Sequence, residues 1–119
     1  TFVIVDAAMN DLIRPTLYEA HHDIRPVREN NRTPIVADVV GPVCETGDYL
    51  ALGRAMQGVV EGEYLAVMSA GAYGAVMAST CNARPLVPEV LVAGGKWHVI
   101  RARPEVSQLI GLDSVPDWL

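Results

Sequence analysis

Short apolar runs separated by turn residues dominate the hydrophobic pattern of the chain. Three of them are rich in β-branched or aromatic residues and predict buried strands: Phe2–Val5, Ile35–Val43 and Tyr64–Ser69. His22–Val27 is a weaker strand candidate. Residues 89–93 and 96–101 predict a β-hairpin, because Gly94 and Gly95 between them supply the positive φ values of a two-residue turn.

The remaining periodic segments are short and predict minor helices. They are 7–13, 50–56, 75–80 and 105–112. Asp6 is placed to cap the first of these helices, and Pro15 limits its extent. Several short strands with few helices predict a mainly β fold, a small β-barrel or sandwich. No repeat or linker interrupts the chain, so we expect residues 1–119 to form one domain.

Composition and charge argue against several classes of function, among them nucleic-acid binding and membrane association. Half of the 119 residues are hydrophobic and 19% are charged, which is typical of a soluble globular domain. A net charge of −5 without a basic cluster argues against nucleic acid and against an anionic membrane as partner. No apolar run is long enough to span a membrane. The two cysteines and three histidines have no metal-site spacing, and so few cysteines favour a reduced, cytoplasmic setting.

The densest group of reactive side chains follows the strongest predicted strand. In the loop Gly41–Asp48, a thiol and two carboxylates (Cys44, Glu45 and Asp48) fall within five consecutive residues. Loops carry binding and catalytic residues more often than strands do. The alternative is a plain turn with a buried, apolar Cys44, since Gly, Pro and Asp are ordinary turn residues. Asp48 fits a turn or cap better than a catalytic role.

Four segments give the chain a resemblance to a known family. They are the run 5–15 with Leu17-Tyr18, the loop Gly41-Pro-Val-Cys-Glu-Thr-Gly-Asp48, the stretch Ala70-Gly-Ala-Tyr-Gly74, and Asn82-Ala-Arg-Pro85. In order and spacing they resemble the C-terminal part of the diaminopimelate decarboxylases, pyridoxal-phosphate (PLP) enzymes of the alanine racemase-like group. The likeness covers nearly the whole chain. Thr46 stands where the family usually has Ser, and Cys81 where it usually has Tyr.

The resemblance implies that these residues are part of a two-domain enzyme. Family members join an N-terminal PLP-binding (β/α)8 barrel to a C-terminal β domain, and the lysine that forms the Schiff base lies in the barrel. The single lysine here, Lys96, falls on the predicted hairpin. The chain also enters directly into a strand without an initial Met. We therefore expect a fragment that is inactive alone.

The resemblance also implies roles for five residues in the decarboxylation of meso-diaminopimelate to L-lysine. Cys44 is the expected proton donor, supplied by one subunit of a homodimer to the active site of the other. Glu45 binds the distal ammonium group of the substrate. Arg14 binds the distal carboxylate and Tyr18 assists it. Tyr73, between two glycines, contacts both PLP and substrate.

Two other readings stay open. Arginine and ornithine decarboxylases share the architecture, but their loop usually carries Asp after the Cys, so Glu45 favours diaminopimelate. A non-catalytic β module that binds a ligand or a protein is the second alternative. The intact set of Cys44, Glu45 and Tyr73 argues against it.

Overall fold

Two sheets form the larger of two units into which the computed structural model divides. All 119 residues are described, and the units are Thr1–Ala78 and Ser79–Leu119. The strands of the first unit are β1 (Phe2–Ile4), β2 (Ile24–Pro26), β3 (Ile35–Val40), β4 (Tyr49–Met56) and β5 (Leu65–Val67). Its helices are α1 (Arg14–Tyr18) and α2 (Gly71–Met77).

The central strand β3 organises the core of this unit. It pairs in parallel with β1 and antiparallel with β4, while β2 and β5 form a separate antiparallel pair. Along β3, Ala37 and Val39 are buried and Val36 is exposed, as expected for a strand with one face on the core. The buried cluster around Val39 takes residues from the segment before α1, from β2 and from β4: Leu12, Ile24, Leu50, Ala51 and Met56.

The helical turn predicted for residues 50–56 is wrong, since this segment is strand β4. Its backbone pairs with β3 along most of the length of β3, so the ladder overrides weak local preference. Gly53 has a φ of 53° and its N–H donates to Oδ1 of Asp38 at 2.6 Å. A residue in this left-handed conformation would end an α-helix here.

The helix predicted for residues 7–13 does not form either. Asp11 closes a turn instead, because its Oδ2 accepts from the N–H of Ala8 at 2.9 Å and its own N–H donates to the Ala8 carbonyl at 2.9 Å. The helix begins only at Arg14, with Pro15 in its first turn. Pro is well suited to that position, since its missing N–H has no helical partner there.

Two strands predicted to be buried are exposed on one side. In β1, Phe2 is 68% and Ile4 75% exposed, and only Val3 packs against the core. Phe2 and Ile4 point to the same face of the strand, and this face is not covered by the first unit. Strand β5 is half-buried, and Tyr64 before it is exposed. Helix α2 begins at Gly71 rather than at residue 75, so it includes Tyr73.

The second unit contains the predicted hairpin. Strands β6 (Glu89–Ala93) and β7 (Lys96–Arg101) pair antiparallel across Gly94 and Gly95, both with positive φ. Helix α3 (Val106–Ile110) begins with a capping box between Glu105 and Gln108. The mainly β fold class is confirmed, with the strands arranged in three separate sheets. No helix has the length and apolar character needed to cross a membrane.

Candidate functional site

Asp48 holds the loop between β3 and β4 in place. Its side chain is 5% exposed, and each carboxylate oxygen accepts a backbone N–H: Oδ1 from Met9 at 2.7 Å and Oδ2 from Val43 at 2.6 Å. The N–H of Gly41 donates to the Asp48 carbonyl at 3.1 Å. A buried carboxylate with two donors is well satisfied. Asp48 is therefore the anchor of the loop, as its expected turn role implied.

Gly41 allows this anchor to approach the backbone. A Cβ atom at this position would lie 2.5 Å from Oδ2 of Asp48 and 2.7 Å from the carbonyl oxygen of Ala7. Both distances are far shorter than van der Waals contact, and one of the two atoms belongs to the backbone. Only glycine fits at position 41, because a side chain there would collide with these two atoms.

We expect Gly41→Ala to lower the free energy of unfolding of the chain by about 1–3 kcal/mol, because the added methyl group forces the buried Asp48 away from its donors. Gly71→Ala is the matched control. It adds the same methyl group within α2, where no atom lies within 4 Å, and we expect stability to stay equal or rise slightly. Urea unfolding of both variants measures the difference. Equal effects at the two positions would contradict this account.

The anchored loop presents Cys44 and Glu45 to solvent. Both side chains are exposed, and neither Cys44 nor Cys81 forms a disulfide. Oε1 of Glu45 accepts the N–H of Gly47 at 3.2 Å and the hydroxyl of Thr46 at 3.0 Å. These hydrogen bonds, first that of Gly47 and then that of Thr46, lower the pKa of Glu45 below its usual range. The carboxylate is therefore oriented by its own loop and ionised at neutral pH.

Helix α1 is attached to the same loop. The hydroxyl of Thr16 donates to the carbonyl of Gly47, and Gly47 has no room for a side chain, because a Cβ would lie 2.8 Å from Cγ2 of Thr16. Thr16 was not among the residues selected from the sequence. Its place in the stretch Arg14-Pro15-Thr16-Leu17-Tyr18 was the only available signal.

Arg14, Tyr18 and Tyr73 meet beside this loop attachment. The guanidinium carbon of Arg14 lies 5.2 Å from the ring centroid of Tyr73 and 6.0 Å from that of Tyr18. Such cation–π contacts hold the guanidinium group between α1 and α2. Both tyrosines remain mostly exposed, Tyr73 at 63%. Arg14 and Tyr18 lie four residues apart on α1, and Tyr73 joins them from a distant part of the sequence.

The sequence model of one protein family matches the part of the chain that carries all of the site residues except Tyr73. The family is described as pyridoxal-dependent decarboxylase, C-terminal sheet domain, and the match covers residues 1–71. The chain belongs to this family. The resemblance noted from the four motifs is thereby confirmed at the level of the family.

Curated relatives and solved structures agree with this membership of the pyridoxal-dependent decarboxylase family. The chain is 53% identical over 118 residues to a diaminopimelate decarboxylase from Zymomonas mobilis, covering 99% of this chain and 28% of the relative. A solved diaminopimelate decarboxylase from M. jannaschii superposes with a TM-score of 0.92 at 37% identity, over 99% of this chain and 27% of that one. The chain thus spans little more than a quarter of these relatives.

A third comparison includes a bound small molecule. The diaminopimelate decarboxylase from Helicobacter pylori, solved in complex with L-lysine, is 41% identical. It superposes with a TM-score of 0.86 over 93% of this chain and 27% of the other. These matches show that the sheet domain has the same fold as the corresponding region of diaminopimelate decarboxylases.

Within this decarboxylase sheet domain, the five predicted site residues fall into two groups. Cys44 and Glu45 are neighbours on the anchored loop, and Arg14, Tyr18 and Tyr73 form the cation–π cluster. The Thr16–Gly47 hydrogen bond connects helix α1, which carries Arg14 and Tyr18, to the loop that carries Cys44 and Glu45. The chemical role of each residue stays a prediction.

The residues present fit one side of a PLP site. Tyr73 offers an exposed aromatic ring and hydroxyl, and the Arg14 guanidinium beside it suits an anionic group. The covalent attachment of PLP requires a lysine, and Lys96, the single lysine, lies in the second unit on β7. The first unit therefore contains no lysine that could form this Schiff base.

Proposed function

We propose that this chain is the C-terminal domain of a PLP-dependent meso-diaminopimelate decarboxylase that forms L-lysine and CO2, in lysine biosynthesis. In this proposal the enzyme is a homodimer whose active sites are shared between subunits. The observation that supports it most directly is the Arg14 guanidinium held between the rings of Tyr18 and Tyr73. The names of the most similar relatives agree with it.

Arg14 and Tyr18 bind the distal carboxylate of the substrate. The planar guanidinium group can donate two parallel hydrogen bonds to two carboxylate oxygens, which a lysine ammonium cannot do. Because the two aromatic rings already restrict this long side chain, little conformational entropy is lost on binding. The contact requires a carboxylate at the distal end of the substrate, so it selects diaminopimelate against diamino acids that carry none there, such as ornithine.

Glu45 binds the distal ammonium group. Its carboxylate is ionised and already oriented by Gly47 and Thr46, so a charge-assisted hydrogen bond can form without reorganising the loop. Glu45 and Arg14 thus bind the two charged groups at the distal end of the substrate, the ammonium and the carboxylate. In the proposed dimer, the loop carrying Cys44 and Glu45 contributes to the active site of the other subunit.

Cys44 returns the proton to Cα. When PLP is bound, its ring accepts the electrons left as the Cα–carboxylate bond breaks and CO2 departs. The Cys44 Sγ–H then donates its proton to Cα, and solvent reprotonates the thiolate. The thiol is exposed on a loop held by Asp48, which gives it a defined place from which to act as a general acid.

Turnover assays on two polypeptides test the proposal. We expect the longer protein that contains this domain to release CO2 from meso-diaminopimelate when loaded with PLP. The isolated 119-residue chain should release none and should not give the absorbance of a PLP–lysine Schiff base, because its single lysine, Lys96, belongs to the second unit and not to the proposed site. Turnover by the isolated chain would contradict the assignment as a partial site. A longer protein active only on ornithine or arginine would overturn the substrate assignment.

A further inference from the structure

His22 is a buried side chain that the proposed chemistry does not use. It is 4% exposed, and its Nδ1 lies 3.1 Å from the carbonyl oxygen of Met68. A carbonyl oxygen can only accept, so Nδ1 must carry the proton and donate. Nε2 is buried too and has no hydrogen-bond partner in the chain. Burying an unpaired ring nitrogen is unfavourable, and an apolar residue would fill the space without that cost.

The Nδ1–Met68 hydrogen bond fixes the end of strand β5. The N–H of Met68 donates to the carbonyl of Asp23 at 2.7 Å, so both backbone polar groups of Met68 are bonded to the segment His22–Asp23. The next residue, Ser69, has a φ of 55°. This left-handed conformation is unfavourable for a non-glycine residue and persists only where its surroundings hold it. The chain then turns directly into α2.

His22 is itself held from the opposite side. Its carbonyl accepts Nη1 of Arg54 in β4 at 2.5 Å, and Nη2 of Arg54 lies 3.2 Å from Nδ1 of His21. A continuous series of contacts therefore runs from β4 through His22 to Met68 and into α2. Tyr73, at the third position of α2, stacks with Arg14 at the end of that series.

We propose that His22, as its Nδ1–H tautomer, is a positioning residue that sets the start of α2 and thereby the place of Tyr73 against Arg14. The inference deepens the proposed function, since it rests on Tyr73 and Arg14 contacting the substrate. It assigns to His22 a hydrogen-bonding role that an apolar core residue could not fill. His22 itself does not touch the reacting atoms.

Two isosteric variants of the longer protein test this role. In His22→Asn the amide nitrogen can take the place of Nδ1, whereas in His22→Gln it can take only the place of Nε2. We expect His22→Asn to keep the KM for meso-diaminopimelate within about threefold of that of the unmodified protein. His22→Gln should raise KM about tenfold with a much smaller change in kcat, because a hydrogen bond that orients a binding residue is lost.

Amide hydrogen exchange of residues 69–77 provides a readout that does not depend on activity. We expect faster exchange in His22→Gln and unchanged exchange in His22→Asn. Equal exchange and equal kinetics in the two variants would overturn the role of His22. Absence of turnover in the unmodified protein, with the exchange difference present, would overturn the proposed function while leaving the positioning role of His22 intact.

A measurement on the unmodified protein covers the case in which His22→Gln does not fold. Two-bond ¹H–¹⁵N correlation spectra of the ring identify which nitrogen of His22 carries the proton. We expect protonated Nδ1 and unprotonated Nε2. A ring with the proton on Nε2 alone could not donate to Met68, and that result would overturn the inference.

Discussion

Replacing Cys44 by Ala in the longer protein should lower kcat for meso-diaminopimelate by about two to four orders of magnitude, the usual contribution of a positioned general acid. KM should change little, because Arg14 and Glu45 remain in place to bind the distal groups of the substrate. The side chain is exposed, so its truncation leaves no cavity in the core and should leave folding intact. Steady-state kinetics separate the two parameters.

Cys81→Ala is the matched control for this experiment. Cys81 is the second exposed thiol of the chain, it belongs to the second unit, and no role is proposed for it. We expect wild-type kinetics from this variant. If Cys44→Ala instead raised KM while kcat held, the thiol would contribute to packing and the assignment of Cys44 as proton donor would be wrong.

Replacing Glu45 by Gln should lower kcat/KM by an amount equivalent to about 2–4 kcal/mol, because the substrate ammonium loses its charged partner in a desolvated site. The amide oxygen of Gln can still accept from Gly47 and Thr46, so the loop keeps its hydrogen bonds. Glu45→Gln therefore measures the effect of the negative charge of Glu45 alone. Discrimination against analogues that lack the distal ammonium should shrink in parallel.

The pH dependence of this variant provides a second check. Gly47 and Thr46 lower the pKa of Glu45, so the native carboxylate stays charged as the pH falls and would be neutralised only below its ordinary range. The ratio of native to variant kcat/KM should therefore be constant between about pH 6 and pH 8. Glu61→Gln, at an exposed turn residue, is the control and should match the native protein. A ratio that changed across this range would show that Glu45 titrates there.

The fold was predictable from sequence where local signals were strong. Gly94-Gly95 between two apolar runs predicted the hairpin β6–β7, and the β-branched run at Ile35 predicted β3. The helix predicted over 50–56 failed because the segment is short and its strand character depends on pairing with β3, across the loop 41–48. A single sequence does not display such pairing.

The candidate site was predictable only in part for a related reason. The loop residues Cys44 and Glu45 stood out by composition, whereas Arg14, Tyr18 and Tyr73 were selected through the family resemblance. The meeting of Arg14 with Tyr73 depends on how α1 and α2 pack, which periodicity does not reveal. His22 was even less visible, since a buried histidine gives no pattern of its own.

The anchoring of the Cys44 loop has a consequence for protein engineering. The contacts that attach the loop to neighbouring segments are those of Asp48 with Met9 and of Gly47 with Thr16, whereas the side chains at 44, 45 and 46 are exposed. Attachment of the loop to the rest of the first unit therefore does not depend on the side chains at 45 and 46. Libraries that randomise only positions 45 and 46 should retain folded protein in most members, so this loop is a practical starting point for changing what the exposed surface of the domain binds.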